Sequence, residues 1–467
     1  MQGINKVSLI LLLFMGLAGK AFSQMLTLPQ AIRLAVDHYG VIRAKGHYVN
    51  ASRDLVRESK REYLPDLNLS GQQDFGTVDA QNGPVYGFRG YGVASSGPLL
   101  ATQSWNAAFG ALYLTNVSWD FFAFGRAKEK VKVSEKQLGL DSSDWQQEIF
   151  EHKIRVSAAY LNLLAAQRLT HSQQDNLDRA LALFTVVEAR ARNGLNPGVD
   201  SSLAAAEVSN ARISLTNAQD YEQEESNALA SLMGINQPDQ PFSLDTVFVS
   251  SLPNNLHDSA AVPLNNHPLT TYYRSRIILS DERARLYQAQ AWPVFSLFGI
   301  FQGRASGFDY NYGMLNPNAY SHGYWSGVDP NRSNYLLGLG MTWDLTSPLR
   351  IREQVSAQRW ISRGLQDELG QIELELHNQL TLSDAKIRNA LANFREAPVQ
   401  LKAAGDAYAQ KSVMYKNGLS NIVDVTQALF TLNRAETERD IASNNVWQAL
   451  LIKTAALGDF DLFIQEQ

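Results

Sequence analysis

The pattern of hydrophobic and polar residues predicts very long helices in this chain. Residues 126–192 contain no proline and a single glycine, Gly139, so all 67 of them can be helical. At about 1.5 Å per residue, such a helix spans about 100 Å, which exceeds ordinary globular helices. The glycines and proline of residues 193–198 then predict a reversal of the chain. A second helix is predicted from Val199 to Met233.

Shorter helices are predicted to accompany the long ones. Thr27 and Gln30 have the spacing of a capping box, which predicts a first helix running to about Tyr63, before Pro65. At about 55 Å this helix has roughly half the length of the long one. Two short helices stacked end to end would therefore cover the apolar stripe of one long helix.

The second half of the chain predicts the same helices again. Residues 423–457 predict a short helix with an apolar stripe at spacings of three and four, which fits either coiled-coil contact or an ordinary elongated bundle. The stripe consists of Val425, Leu429, Leu432 and Ala435. Pro398 interrupts the second long helix, and we expect a kink there because proline removes one backbone hydrogen bond.

The two halves of the chain are copies of one another. Landmarks of the first half recur 224 positions later, without a gap, over 116 residues. The recurring residues are Trp119-Asp120, Arg126, Asn193-Gly194-Leu195, Val199-Asp200 and Gly234, which return as Trp343-Asp344, Arg350, Asn417-Gly418-Leu419, Val423-Asp424 and Gly458. We infer two structural repeats, residues 24–245 and 246–467, the second including a short inter-repeat segment.

Between the helices the hydrophobic period becomes that of a strand. Strands are predicted over residues 66–77, 105–121, 294–304 and 334–345. The last alternates most clearly, and its large apolar face consists of Leu337, Leu339, Met341, Trp343 and Leu345. The alternation and the lengths of about 10 residues fit membrane strands with one face in lipid, although a soluble sheet packed on a core alternates in the same way.

Two features of the predicted strands bear on the membrane interpretation. Long connections join the strands of each pair, over residues 78–104 and 305–333, as is normal on the outer side of an outer-membrane barrel. Four strands cannot close a barrel, and lipid does not tolerate open sheet edges. We therefore expect several copies to assemble. Two copies would give eight strands and a nearly filled interior, whereas three would give twelve and leave an aqueous passage.

Composition and motifs exclude several functional classes. The chain has 467 residues, 45% hydrophobic and 19% charged, with 41 basic and 46 acidic side chains and no cysteine. It is too apolar for disorder, too weakly charged for a nucleic-acid partner, and unable to form disulfides or cysteine zinc sites. The sequence lacks phosphate-loop, zinc-protease and nucleophile-elbow motifs, so we expect no enzyme activity, cofactor or metal site. Residues 1–23 predict a signal peptide.

With its duplicated strand ends, glycine-leucine turns and long helices, the sequence resembles the TolC family of outer-membrane efflux proteins over essentially the whole mature chain. The resemblance implies a mainly α-helical fold with a membrane β-barrel part. In this fold a trimer forms a twelve-stranded barrel, with four strands per chain, that continues into a long periplasmic coiled-coil tunnel. It implies a location in the cell outer membrane, extending into the periplasm.

The resemblance also implies a function and a set of partners. The function is that of a passive exit duct in a tripartite efflux pump or type I secretion system, opened at its periplasmic helical tip. The implied partners are two further copies of the chain, a periplasmic adaptor (membrane fusion protein), an inner-membrane transporter of the RND, ABC or major-facilitator type, and outer-membrane lipid. The alternative is a periplasmic coiled-coil structural or adaptor-like protein without a pore, whose strands would form a soluble sheet.

Functional residues follow from the resemblance position by position. The adaptor-contacting tips match Asn193, Gly194 and Leu195 in the first copy and Asn417, Gly418 and Leu419 in the second, where asparagine replaces the family's valine. The periplasmic gate matches Tyr415, Gly418 and Asp424, with Asp200 at the equivalent turn of the first copy. Ser420 and Gln427 replace charged residues of some family members, so we expect packing, more than ion pairs, to hold the gate.

Two of these assignments have simpler alternatives. Asp200 and Asp424 also fit ordinary stabilisation of a helix N-terminus, worth about 0.3–1 kcal/mol. Trp119 and Trp343 lie at the strand ends farthest from the long loops, where aromatic belts mark a membrane boundary, but buried core tryptophans are an alternative.

Overall fold

The computed structural model describes residues 25–80, 97–236, 241–253 and 266–465. The predicted signal peptide and part of the first long loop lie outside the described residues. The chain forms two compact units. The sheet unit comprises Ser52–Leu138 and Ile278–Ser362, and the helical unit comprises Met1–Ala51, Gly139–Ile277 and Arg363–Gln467. Each unit draws on both halves of the chain, so the units and the two predicted repeats divide it differently, and the repeat boundary stays a prediction.

Helices account for most of the described residues. In chain order they are α1 (Leu28–His38), α2 (Gly40–Arg61), α3 (Arg126–Arg192), α4 (Gly198–Met233), α5 (Val247–Ser250), α6 (Pro268–Ala289), α7 (Tyr324–Val328), α8 (Ser347–Lys416), α9 (Ile422–Leu457) and α10 (Asp461–Gln465). The predicted 67 residues of α3 are confirmed, and α8 has 70. Helix α8 continues through Pro398, so the proline does not end it, and the kink expected there stays a prediction.

The first predicted helix is two helices. Gln30 Oε1 accepts the N–H of Thr27 at 3.1 Å, as the capping box requires. Tyr39, however, has extended backbone angles (φ −64°, ψ 120°) and separates α1 from α2. The end of α4 packs on this break, since a Cβ at Gly234 would lie 2.8 Å from the carbonyl carbon of His38. The break is thus part of a tertiary contact that the local sequence does not encode.

The helical unit has a core in which α1, α3, α4, α9 and α10 meet. Its largest members, Tyr160 and Trp447, are fully buried, and each polar atom finds a backbone acceptor. Tyr160 Oη donates to the carbonyl of Leu26 at 2.8 Å, and Trp447 Nε1 donates to that of Ser251 at 3.2 Å. Burial raises the pKa of Tyr160 to about 12. All four residues of the apolar stripe on α9 are buried, as predicted.

The ends of α4 and α9 repeat one another. They terminate at Gly234 (φ 66°) and Gly458 (φ 75°), which lie 224 positions apart and are both left-handed. Gly458 packs on His267, where a Cβ would lie 2.6 Å from the imidazole Cδ2. A buried imidazole donates to the last turn of each helix, His152 to the carbonyl of Leu232 at 2.8 Å and His267 to that of Ala455 at 3.0 Å. Burial lowers the pKa of both histidines.

The contacts of these two glycines predict a large cost of adding a methyl group. Gly234→Ala and Gly458→Ala should each destabilise the helical unit by more than about 2 kcal/mol, because a left-handed non-glycine residue alone costs about 1–2 kcal/mol. Gly370→Ala is the matched control, since it lies inside α8 with nothing within 4 Å of a new Cβ, and it should be neutral or stabilising. Thermal unfolding followed by circular dichroism checks this. Equal behaviour of the three variants would contradict it.

The sheet unit contains four antiparallel strands in sequential order. They are β1 (Asp66–Thr77), β2 (Ala107–Phe122), β3 (Val294–Ser306) and β4 (Arg332–Thr342). All four predicted strands are confirmed, but β4 ends before Trp343 and Leu345, which the prediction included. The reason is a turn in which Asp344 Oδ1 accepts the N–H of Thr346 at 3.0 Å. Within the described ranges, β1 and β4 have only one neighbouring strand each.

The register aligns apolar side chains on one face of the sheet. Residues paired across antiparallel strands share a face, so the pairings give rows that cross all or most of the sheet. Two such rows are Leu69–Thr115–Phe301–Tyr335 and Trp119–Leu297–Leu339. Leu69 is 77% exposed and Leu339 is 74% exposed. A soluble sheet would bury this face, whereas here the described residues leave it open; the opposite face mixes polar and apolar side chains.

Candidate functional site

Two helix ends form the turns at which the sequence predicts the tips. Gly194 (φ 73°) and Gly418 (φ 77°) are left-handed. The next residue bonds back over the last turn in both cases, Leu195 N–H to the carbonyl of Arg190 at 2.9 Å and Leu419 N–H to that of Met414 at 2.8 Å. This is the Schellman arrangement, which explains why glycine stands at the same position of both copies. We call α3 and α4 hairpin 1, and α8 and α9 hairpin 2.

A polar cluster, the tip network, connects the two hairpins. Arg190 of hairpin 1 donates from Nη1 to the carbonyl of Lys416 at 2.6 Å and from Nε to Asn196 Oδ1 at 2.8 Å. Its guanidinium lies 5.6 Å from the ring centroid of Tyr415, which is only 1% exposed. Asn196 Nδ2 donates to Tyr415 Oη at 3.1 Å and to Asp200 Oδ2 at 2.8 Å. The predicted gate residues Tyr415 and Asp200 are therefore brought together through Asn196.

Burial raises the pKa of Tyr415, and the nearby carboxylate of Asp200 adds to the effect. Its hydroxyl therefore stays protonated at neutral pH. The ring also packs in a small apolar cluster with Val187 and Val425 of the two hairpins. Packing and hydrogen bonding thus act on the same side chain.

Asp424 lies apart from the tip network and is bound within hairpin 2. Its Oδ2 accepts from Lys411 Nζ at 2.9 Å and from Ser420 Oγ at 3.0 Å, while its own N–H donates to Asn421 Oδ1 at 2.8 Å. The hydrogen bond from Lys411, and then that from Ser420, lower the pKa of Asp424. The carboxylate is therefore charged at neutral pH, and it ties the end of α8 to the first turn of α9.

The two turns share one side-chain hydrogen bond, but their other polar side-chain partners differ. Asn196 and Ser420, 224 positions apart, each donate to the aspartate four residues later. Sequence reasoning missed Arg190, Asn196 and Lys411, although the 224-residue offset could have drawn attention to the 196/420 pair. Arg190 corresponds to Met414 and Lys411 to Val187 in the other copy, so neither of these two side chains is repeated. The tip is thus a place where the copies have diverged.

Apolar side chains project from both turns. Leu195 is 68% exposed and Leu419 is 72% exposed. Val199 and Val423, in the first turns of α4 and α9, are each 61% exposed and were not predicted, although they recur at the same offset. Asn193 and Asn417 occupy the capping position between each helix and its glycine, and the side chain of Asn417 donates to the carbonyl of Val413 at 3.0 Å. Each turn therefore presents the same exposed leucine and valine.

In the sheet unit, the two predicted boundary tryptophans occupy equivalent positions. Trp119 Nε1 donates to the carbonyl of Tyr63 at 2.8 Å, and Trp343 Nε1 donates to that of Ala291 at 3.1 Å. Both carbonyls lie two residues before the proline that precedes a strand. Trp343 is 46% exposed, and Trp119 is half-buried. The side chains thus keep a polar atom bonded at the helix-to-strand junction while exposing their rings.

Further aromatic side chains gather at the same strand ends, and the sequence reading missed them. We call this set the strand-end aromatic cluster. It has two groups, Tyr63, Trp119 and Phe121 in one and Phe122, Phe124, Trp292 and Phe295 in the other, with ring contacts of 4.7–6.4 Å within the groups. Trp292 is 56% exposed and Phe122 is 48% exposed. The Phe121-Phe122-Ala123-Phe124 segment was a visible signal. Such a cluster is typical of the level of lipid headgroups.

No helix among the described residues has the length and apolarity needed to cross a membrane. No group of three or more histidine, aspartate or glutamate side chains in these ranges is placed to hold a metal ion.

Comparisons with known proteins agree with this geometry. Residues 32–235 match the model of the outer membrane efflux protein family. The solved structure of CusC matches with a TM-score of 0.74 at 14% identity, over 92% of this chain and 92% of that chain. VceC of Vibrio cholerae gives 0.71 at 16% identity over 92% and 96%, and the Campylobacter jejuni CmeC channel gives 0.72 at 12% identity over 92% and 85%. Among the curated proteins, none matches the chain significantly.

The resemblance inferred from the sequence is confirmed: residues 32–235 match the outer membrane efflux protein family, and the fold of the chain is that of TolC-like channels. These matches favour a transport channel of the outer membrane over an enzyme. The pore-free alternative has no support in these findings. The roles of the individual residues stay predictions.

The boundary role of the tryptophans can be tested by quenching with brominated phospholipid. In vesicles that contain such lipid, Trp119→Phe and Trp343→Phe should each remove part of the quenched indole emission, because both rings are expected at the lipid boundary. Trp447→Phe is the matched control, since Trp447 is fully buried in the helical unit. Its loss should remove unquenched emission. If Trp119 and Trp343 were buried away from lipid, their replacement would remove unquenched emission instead, and this would contradict the boundary role.

Proposed function

We propose that three copies of this chain form the passive exit duct of a tripartite efflux pump or type I secretion system. An inner-membrane transporter would deliver the substrate, and a periplasmic adaptor would dock onto the tips and open them. The observation that carries the proposal is the sheet, with its open apolar face and two edges that no described strand pairs, in a chain that also holds two long helical hairpins. A sheet of this kind is stable in lipid only when its edges are paired.

The number of copies follows from the strand count and from the need for a passage. Each chain supplies four strands, and the free edges β1 and β4 can pair between copies. Two copies would close eight strands around an interior that side chains nearly fill, whereas twelve strands leave an aqueous lumen. A channel for exported molecules therefore requires three copies. The outward face would then be the one that carries Leu69 and Leu339.

The tip network is the proposed latch of the closed state. Moving hairpin 2 away from hairpin 1 breaks the bonds from Arg190 to the carbonyl of Lys416 and from Asn196 to Tyr415. A charge-assisted hydrogen bond is worth about 1.5–3 kcal/mol, so adaptor contact with a few apolar side chains could supply enough free energy to open it. Leu195 and Leu419 are the exposed contacts available for this role, together with Val199 and Val423.

Asp424 has a different part in the proposed gate. Three copies around an axis would make a ring of carboxylates, whose repulsion would favour opening. Lys411 lies 2.9 Å from each of these carboxylates and offsets the charge, so the ring is a set of ion pairs. Asp424 then serves to fix the turn of hairpin 2, which fits its place in the first turn of α9.

Single-channel recording in planar bilayers tests the latch. Arg190→Ala should raise the open probability at least about tenfold, because the variant loses the charge-assisted hydrogen bond from hairpin 1 to the carbonyl of Lys416 and the bond that holds Asn196 beside Tyr415. Arg192→Ala is the matched control: Arg192 lies half a turn away on α3 and pairs only locally, with Glu188 at 2.8 Å. Its open probability should equal that of the wild type.

The same recordings separate the latch from the duct. Equal open probabilities for Arg190→Ala and the wild type, with measurable conductance in both, would contradict the latch alone. No conductance from the wild type, Arg190→Ala or Asn196→Ala would contradict the duct itself.

A further inference from the structure

A cavity of about 410 Å³ opens in the sheet unit at the ends of the strands. It lies between the end of α2, the end of β2 and the beginning of α3. Its lining combines three basic side chains, Lys60, Arg126 and Lys128, with the rings of Tyr63, Phe121 and Phe122. The three aromatic residues belong to the strand-end aromatic cluster. Cationic and aromatic groups therefore line one opening at the level where lipid headgroups are expected.

The basic side chains of this cavity are incompletely paired. Lys60 forms an ion pair with Glu135 at 2.9 Å. Arg126 and Lys128 are exposed, and neither side chain has a hydrogen bond or ion pair with any described residue. The only acid in the lining, Asp120, accepts from Ser296 Oγ at 2.6 Å. The cavity thus carries an excess of positive charge that the described residues leave unneutralised.

In the second copy of the repeat, the arginine equivalent to Arg126 is neutralised. Asp344 and Arg350 stand 224 positions after Asp120 and Arg126, and they form an ion pair at 2.5 Å. In the first copy, Asp120 lies within a strand, because β2 continues to Phe122 past a register shift after Trp119. In the second copy, β4 ends before Asp344. The arginine that is neutralised in one copy is therefore free in the other. Arg350 of the second copy thus serves as the reference for Arg126 of the first.

We propose that this cavity binds the headgroup of an anionic phospholipid in the periplasmic leaflet of the outer membrane, with Arg126 and Lys128 as ligands of the phosphate. The inference rests on the barrel proposed above, which puts the strand-end aromatic cluster at the lipid boundary. Charge complementarity selects an anionic lipid over a zwitterionic one. The adjoining apolar face, through Leu297 and Leu339, would take the acyl chains.

Lipid binding to the full-length assembled protein tests the proposal. The protein is inserted into phosphatidylcholine vesicles with and without phosphatidylglycerol, and retained lipid is counted by native mass spectrometry after extraction. The wild type should retain phosphatidylglycerol in preference to phosphatidylcholine. Removing both charges, in the Arg126→Gln/Lys128→Gln variant, should weaken phosphatidylglycerol binding about 30-fold. Arg126→Lys with Lys128 intact should keep most of the affinity.

Two control variants make the comparison specific. Lys136→Gln removes an exposed charge from α3 two turns further along, and Arg350→Gln removes the equivalent arginine of the second copy, which is already paired. Both should bind phosphatidylglycerol as the wild type does. An equal loss of affinity in all the variants would indicate general surface charge and overturn the assignment to this cavity.

The remaining outcomes separate this inference from the barrel and from other anions. Wild-type protein that floats with the vesicles but retains both lipids equally would overturn the headgroup site and leave the barrel standing. Protein that fails to float with either vesicle would overturn both. Binding of inorganic phosphate with the affinity of the lipid would identify a soluble-anion site and contradict the lipid.

Discussion

The rest of this structure depends on one constraint, a four-stranded sheet with an open apolar face and two edges that no described strand pairs. Rows of leucine and aromatic side chains run across the strands, and Leu69 and Leu339 are about three-quarters exposed. Exposure of this apolar face to water is unfavourable. Exposure of the backbone groups of the sheet edges to lipid is also unfavourable unless another strand pairs with them. A single chain satisfies neither requirement. The barrel, the number of copies and the central passage all follow from satisfying both.

The two copies of the repeat share their helix ends and turns but differ in individual side chains. Glycines with positive φ end the helices at equivalent positions, and Asn196 and Ser420 hold equivalent aspartates. Against this background the unrepeated side chains carry the proposed functions. Arg190 connects the hairpins, Lys411 neutralises Asp424, and Arg126 lacks the aspartate partner that Arg350 has. The side chains that differ between the two copies are therefore the candidates for roles beyond maintaining the fold.

Sequence reasoning predicted the features that local patterns encode. The 67 residues of α3, the four strands and the left-handed turn glycines follow from period, proline and glycine content, which act within a few residues. It failed where a tertiary contact decides, since the break at Tyr39 accompanies packing of Gly234. Of the candidate site, the turns could be predicted from local pattern and Tyr415 from the family resemblance. The partners Arg190 and Lys411 could not, since side-chain pairing between helices leaves no periodic signal.

The central claim is that the sheet closes only between copies of the chain. Native mass spectrometry of the full-length protein, extracted from the outer membrane in mild detergent, tests it most directly because it counts chains without assuming a pore. The account predicts a particle of three copies that resists dissociation until the sheet unfolds. A stable single chain that keeps its strands in the same detergent, by circular dichroism, would contradict it.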